Sequence, residues 1–323
     1  MSATNDGRPP RWHPRGFNNG LIFGATYHGV SRLPTWLTYS IGHVGTWFAY
    51  HLQTTGRLAL IENLRVVFPD RSDAELARLA LATYRNYARD TTDFMRSLPR
   101  RPAELRRMIS RFDTAAFEAA AAAGRGVLAV SAHFGNWEIG GVLLRRLTNH
   151  ALSIVVMREP SAEVTRRRRA FRDSLGIETI EVRQSVQTAL HIREQLARNR
   201  VVALLVDRHV GRDRVPVTFF GRQAFFLRTP ALLASFTGAP LVPVAVFRTT
   251  DHRFAVECGE PIVIASDGDR EAAIQNATQA VAAFFEPQIR RHPESWYQFY
   301  PYWSAQPSPG SSRDRQHGPV EAD

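Results

Sequence analysis

The chain has 323 residues, 44% hydrophobic and 22% charged, an ordinary globular balance with length enough for one large core plus a helical appendage. Its formal net charge of +11 rests on arginine alone, since no lysine occurs, and suits anionic lipid headgroups, phosphates or an acidic carrier protein. The single Cys258 excludes an intrachain disulfide framework and a zinc site built from several thiolates. Its place in the alternating run Phe254-Ala-Val-Glu-Cys-Gly reads as a buried structural thiol in a reducing compartment. There is no aromatic-rich basic stripe, zinc spacing or recognition-helix signature, so no nucleic-acid partner is expected.

Residues 1–15 are polar, contain proline and lack the apolar core of a signal peptide; a flexible tail is expected there. Large apolar and aromatic residues then dominate up to residue 52, as in Leu33-Pro-Thr-Trp-Leu and Trp47-Phe-Ala-Tyr, but His28, Arg32, Pro34 and His43 interrupt them. No window of about 18 clean apolar residues results, so helices lying in a membrane interface fit better than a spanning helix. An ordinary amphipathic helical pair packed on the main domain is the alternative. This interface region belongs to a helical segment over residues 16–110. Within it, residues 72–96 form a clear helix, with Ser72 as cap, Glu75 three positions on, and apolar Leu76, Leu79, Tyr84 and Tyr87.

Residues 111–303 read as an α/β domain. A helix over 113–123 ends at Gly124-Arg-Gly and launches a short buried strand at 127–132. Helices follow at 138–147, 162–175, 186–198, 230–236 and 270–290, with strands at 151–157, 201–206, 241–247 and 254–264. This alternation implies a mostly parallel central sheet flanked by helices, with active groups at the carboxyl ends of the strands. Residues 304–323 are rich in Ser, Pro, Gly and charge and are expected to be disordered.

The informative run is Ser131-Ala-His133-Phe-Gly-Asn-Trp-Glu138, where a buried strand stops and a helix begins. On one continuous helix, positions five apart are rotated by about 140°, so His133 and Glu138 would not share a face. If His133 ends the strand, Gly135 turns and Asn136 caps, then Glu138 falls in the first helical turn and can point back to the imidazole. Glu138 would then fix the tautomer while the other ring nitrogen removes a proton from a hydroxyl. Free amides at the helix start would be placed for an oxyanion or a donor phosphate.

His-x4-Glu after a short hydrophobic strand resembles the first signature of the glycerolipid acyltransferase superfamily. More narrowly, the chain resembles the bacterial lipid A biosynthesis acyltransferases, the lauroyl and myristoyl transferases, and the related phosphatidylinositol mannoside acyltransferases. The resemblance also rests on Glu62-Asn-Leu-Arg-Val-Val-Phe-Pro69, Arg158, Asp207-Arg208, Val217-Thr-Phe-Phe-Gly221 with Thr229-Pro230, Leu241-Val-Pro-Val-Ala-Val-Phe-Arg248, and His292-Pro-Glu-Ser-Trp296. It implies an O-acyltransferase with His133 as general base assisted by Glu138. The donor would be an acyl carrier protein or coenzyme A thioester and the acceptor a membrane glycolipid hydroxyl. No metal and no bound organic cofactor are expected. The expected place is the cytoplasmic face of the bacterial inner membrane, on an anionic surface. Asn136, Arg158, Asp207, Arg208, Arg228 and Arg248 are implied as substrate contacts, Asp207 tying the arginines in place, and Phe220 and Gly221 as shaping an acyl groove. One departure from the mannoside branch is that Arg214-Val-Pro-Val-Thr carries no acid before the Phe-Phe-Gly. A thioester hydrolase and a non-catalytic membrane scaffold are the rival readings.

Overall fold

A computed structural model describes residues 33–97, 100–157, 162–182, 185–209, 211–265 and 268–303; the two expected tails and Arg158 lie outside them. The helical region consists of α1 (Thr35–Leu52), α2 (Thr54–Val67), α3 (Asp73–Ser97) and α4 (Pro102–Arg107). The α/β part begins with β1 (Ile109–Asp113), α5 (Ala115–Ala122), β2 (Val127–Ser131), α6 (Trp137–Leu147), β3 (Leu152–Val156), α7 (Ala162–Ser174), β4 (Glu178–Glu181), α8 (Ser185–Ala197) and β5 (Val201–Leu205). After them come β6 (Val215–Phe219), β7 (Arg222–Phe226), α9 (Thr229–Thr237), β8 (Leu241–Arg248), β9 (Phe254–Cys258) and α10 (Arg270–Arg291).

Seven strands form one sheet in the order β1-β9-β8-β2-β5-β3-β4. The five from β8 to β4 are parallel; β9 pairs antiparallel with β8, and β1 parallel with β9. The mostly parallel sheet flanked by helices is therefore the architecture that the alternating pattern predicts. Central β2 buries four consecutive residues and β8 is buried nearly throughout, as strands covered on both faces require. The edge strands β1 and β4 escape the sequence reading because they are polar: Ile109-Ser-Arg-Phe-Asp has no fully buried residue, and Glu178-Thr-Ile-Glu buries only Ile180. An edge strand packs less surface and so leaves a weaker hydrophobic trace.

Ser72 and Glu75 form the expected capping box, with Ser72 N and Oγ donating to Glu75 Oε2 at 2.9 and 2.6 Å. Phe220 and Gly221 differ from their expected place in an acyl groove, and Phe219 precedes them at the end of β6. Phe220 and Gly221 are the two central residues of the β6–β7 hairpin turn, both at positive φ, and the two phenylalanines pack with Trp296, Tyr302 and Trp303. Their aromatic faces belong to the core.

A strap at residues 296–303 follows α10 and is buried between the helical region and the sheet. Trp296, Gln298 and Tyr302 are fully enclosed. Asn63 of α2 clasps it by donating to the carbonyls of Gln298 and Tyr300 and accepting from Tyr302 N. Tyr297 N in turn donates to His133 O at 2.9 Å, so the strap buttresses the loop after β2.

Two turn glycines provide a contrast in cost. Gly135 has φ +61, and a Cβ there would lie 1.9 Å from Val246 O; Gly221 has φ +71 with open space around it. Gly135→Ala is expected to cost about 3 kcal/mol or more, and Gly221→Ala only about 1 kcal/mol, in urea unfolding of the two variants.

Candidate active site

Strand β2 ends at Ser131, and the chain turns through Gly135 before Asn136 starts α6. Gly135 N donates to Ser295 O and Asn136 N to Val246 O, both at 2.7 Å, pinning the turn. Asn136 is the helix cap that its position predicts, its Oδ1 accepting from Ile139 N at 3.1 Å, while its Nδ2 donates to Asp90 O. Buried and fully engaged, Asn136 is a positioning group rather than the expected substrate contact. The amides of residues 135, 136 and 139 are likewise spent inside the protein, so an oxyanion cannot use them.

The partner of the histidine is the largest correction to the sequence expectation. His133 Nδ1 lies 2.7 Å from Asp207 Oδ1, and His133 N donates to Asp207 Oδ2 at 3.0 Å. Glu138 faces elsewhere: its Oε1 is 3.3 Å from Arg172 Nη2 and 3.5 Å from Arg168 Nη1. The parallel pairing of β2 with β5 explains the exchange. Ser131 is in register with Leu205, so two residues further on His133 and Asp207 leave adjacent strand ends together. Signals available in the sequence were the motif Asp207-Arg208 and its place just beyond a buried strand; register supplied the rest.

Asp207 is completely buried and is satisfied by three donors, His133 twice and Gln298 Nε2 at 2.6 Å. Burial alone would raise its carboxyl. The neighbouring His133, its hydrogen bonds and Arg208 outweigh that, holding it below the ordinary carboxylate range. His133 is shifted down, chiefly by burial and then by the Arg208 cation, against the opposing pull of Asp207. The imidazole is therefore neutral at neutral pH. Since Asp207 accepts at Nδ1, Nδ1 carries the proton and Nε2 is the free base. The side chain of His133 is 18% exposed, so its ring is reachable from outside the protein.

Beside this pair, an apolar cleft lies between α6 and the sheet. It encloses about 920 Å³ of space between protein atoms, part of it open to solvent. Trp137, whose ring is 5.3 Å from His133, lines it with Ser131, Glu138 and Arg172; Leu144, Phe117 and Cys258 also line it. Gly140 and Gly141 seat the helix closely, since a Cβ at either would meet Val246 or Ile154 at 2.8 or 3.3 Å. Burial pushes the Cys258 thiol up to about 12, in keeping with a structural rather than nucleophilic thiol.

The predicted arginine set separates. Arg208 stays at the site: Nε donates to Gln298 Oε1 at 3.1 Å and Nη2 to Tyr297 O at 2.8 Å, with its guanidinium over the Tyr300 ring. Asp207 does not tie the arginines together; it holds His133. Arg228 pairs with Glu271 near the surface instead of joining the site. Arg248 is corrected from phosphate contact to buried scaffold. Its Nη2 reaches Asp90 Oδ1 at 2.9 Å and also Asp93, with all three side chains at most 8% exposed. Sequence reasoning missed Asp90, Asp93, Tyr297 and Gln298, which the tertiary fold collects from α3 and the strap.

Arg248→Gln would leave Asp90 and Asp93 buried against each other without their cation. We expect a loss of about 3–5 kcal/mol in chemical denaturation at neutral pH, against less than about 1 kcal/mol for Arg228→Gln. Asp90 is already pushed up to about 6 by burial. Removing Arg248 raises it further, so the deficit of the variant should shrink as pH falls from about 8 to 5 and Asp90 protonates.

Comparison with known proteins agrees over most of the chain. Residues 11–305 match the family model described as bacterial lipid A biosynthesis acyltransferase. A phosphatidylinositol mannoside acyltransferase of Mycolicibacterium smegmatis is 30% identical over 88% of this chain and 91% of its own length. One from Mycobacterium tuberculosis strain ATCC 25618 / H37Rv is 31% identical over 88% of each chain. A buried acid–base pair at the ends of two parallel strands, an apolar cleft beside it and these matches converge: the chain belongs to the bacterial lipid A biosynthesis acyltransferase family.

Proposed function

We propose that this acyltransferase moves a fatty acyl chain from an acyl carrier protein or coenzyme A thioester to a hydroxyl of a membrane glycolipid. The mannosylated phosphatidylinositol that names its relatives is the acceptor class we favour. The observation that carries the catalytic reading is the His133–Asp207 pair, with a free Nε2, beside an apolar cleft able to take an acyl chain. Nε2 removes the acceptor hydroxyl proton as the oxygen attacks the thioester carbonyl and the C–O bond forms. Collapse of the tetrahedral intermediate breaks the C–S bond, and the imidazolium returns the proton to the leaving thiolate. Asp207 holds the tautomer and stabilises the imidazolium. As proposed, the proton passes between hydroxyl, imidazole and thiol, so the step calls for neither metal nor organic cofactor. Glu138 acts at one remove, by holding Arg172 at the wall of the cleft. Arg208, whose charge acts on the imidazole, is suited to an anionic group of donor or acceptor.

The setting we infer is the cytoplasmic face of the inner membrane, with α1 lying on an anionic surface. None of the 18 residues of α1 is Asp, Glu, Lys or Arg, and its outer face exposes Trp36, Ile41, Val44, Trp47, Phe48 and Leu52. Among the described residues no helix is long and apolar enough to cross a membrane. Such a face suits burial at the headgroup boundary.

Incubating purified protein with labelled acyl donor and membrane lipid, and resolving the products by intact mass, tests the reaction. Wild type should label one glycolipid class. His133→Ala should abolish that product, and Asp207→Asn should lower kcat about 10³-fold or more. Free fatty acid as the sole product would make the protein a hydrolase; no His133-dependent product would overturn the catalytic reading. The acidic limb of the wild-type pH profile should fall below the ordinary imidazole value of 6.5, since the shift of His133 is downward. Asp207→Asn should move it lower, and Glu138→Gln should leave it in place. Replacing Trp36, Trp47 and Phe48 together by Ser should weaken flotation with anionic vesicles about tenfold or more while the protein stays folded.

A further inference from the structure

The strap contains one polar side chain for which the acid–base pair alone gives no reason. Gln298 is fully buried, and its amide joins two groups of opposite charge: Nε2 donates to Asp207 Oδ2 at 2.6 Å, and Oε1 accepts from Arg208 Nε at 3.1 Å. Its orientation is dictated, because an ionised carboxylate only accepts and a guanidinium only donates. Asp207 and Arg208 are consecutive in the chain, yet no ion pair among the described residues joins them. The amide stands between their charges.

We propose that Gln298 is a positioning residue that keeps the Arg208 cation off the Asp207 carboxylate, reserving that carboxylate for His133. A guanidinium and a carboxylate free to meet in a buried site form a strong, often bidentate pair. That pair would neutralise Asp207 and remove the charge that the imidazolium needs when it forms. Gln298 blocks this by occupying both groups with neutral hydrogen bonds, while Tyr297 O and the Tyr300 ring hold the rest of Arg208. The third donor to Asp207 is thereby an amide, which screens less charge than a cation would.

The groups surrounding His133 leave few other ways to tune it. From β5 come Asp207 and Arg208; from the strap, Tyr297, Tyr300 and Tyr302, all raised above ordinary phenol and thus neutral; from α6, Glu138, which Arg172 and Arg168 engage. Asp207 and Arg208 are the two charges felt directly by the imidazole.

This inference rests on the proposed role of His133 as base, so its test reads the imidazole without acyl transfer. Diethyl pyrocarbonate modifies imidazole only in its neutral form, and peptide mass analysis reports the extent at His133. Its rate between about pH 5 and 8 should give a midpoint for full-length wild type, Gln298→Leu, Gln298→Met and Gln298→Glu. Leu and Met let Arg208 close on Asp207, so the midpoint should fall by about half a unit or more. Glu pairs with Arg208 and leaves Asp207 to the imidazole, so the midpoint should rise by a similar amount. Thermal unfolding identifies any variant that fails to fold, and the folded apolar variant is then the one compared with Glu. Midpoints that stay at the wild-type value, or that move the same way in apolar and acidic variants, would overturn the proposal. Opposite shifts in a protein whose wild type transfers no acyl chain would overturn the reaction and leave the positioning role standing.

Discussion

A carboxylate with no access to water must be surrounded by donors, and Asp207 at the end of β5 imposes that demand on the whole site. The loop after β2 answers with the amide and imidazole of His133, and the strap answers with Gln298. Tyr302 adds a hydrogen bond from its hydroxyl to the carbonyl of Asp207, so even the backbone at this position is held from the strap side. His133 is thus fixed by the electrostatic need of its partner as much as by its own packing.

Behind the acid–base pair stands a second buried charge cluster of a different kind. Arg248 on β8 links Asp90 and Asp93 on α3, Tyr297 donates its hydroxyl to Asp90, and Tyr39 of α1 donates to Asp93. Asn136 adds a bond to the carbonyl of Asp90. These contacts lock the helical region onto the sheet at the point where the strap passes. Ion pairs of this burial contribute little net stability, but losing one member is costly, so they favour one arrangement over others. The loop that carries His133 is therefore braced by packed strands, helices and the strap.

The glycines of α6 complete the arrangement in a complementary way. Gly135 lets the backbone touch β8, and Gly140 and Gly141 let the helix lie close over Val246 and Ile154. Close seating of this face confines an apolar cleft whose walls include Trp137, beside His133, together with Phe117 and Cys258. The cleft walls are mostly hydrocarbon, and the His133–Asp207 pair lies beside them.

Much of this was legible in the sequence, because it depends on local rules. Short apolar runs marked the buried strands β2, β5 and β8; Ser72 with Glu75 marked the start of α3; and Asn136 after Gly135 marked α6. His133 could be singled out as the candidate base, since a strand end followed by a turn and a cap has a short-range signature. The polar edge strands β1 and β4 left no such trace, nor did the hairpin turn, where Phe220 takes a positive φ that its side chain does not advertise. The partner of the base was decided only by tertiary structure. Glu138 is five residues away and Asp207 seventy-four, but parallel pairing of β2 with β5 brings the distant carboxylate to the imidazole, while arginines of α7 draw the near one aside. Spacing along a chain constrains groups within one element, whereas register between strands sets which residues from separate elements meet, and that register is a property of the whole packed sheet.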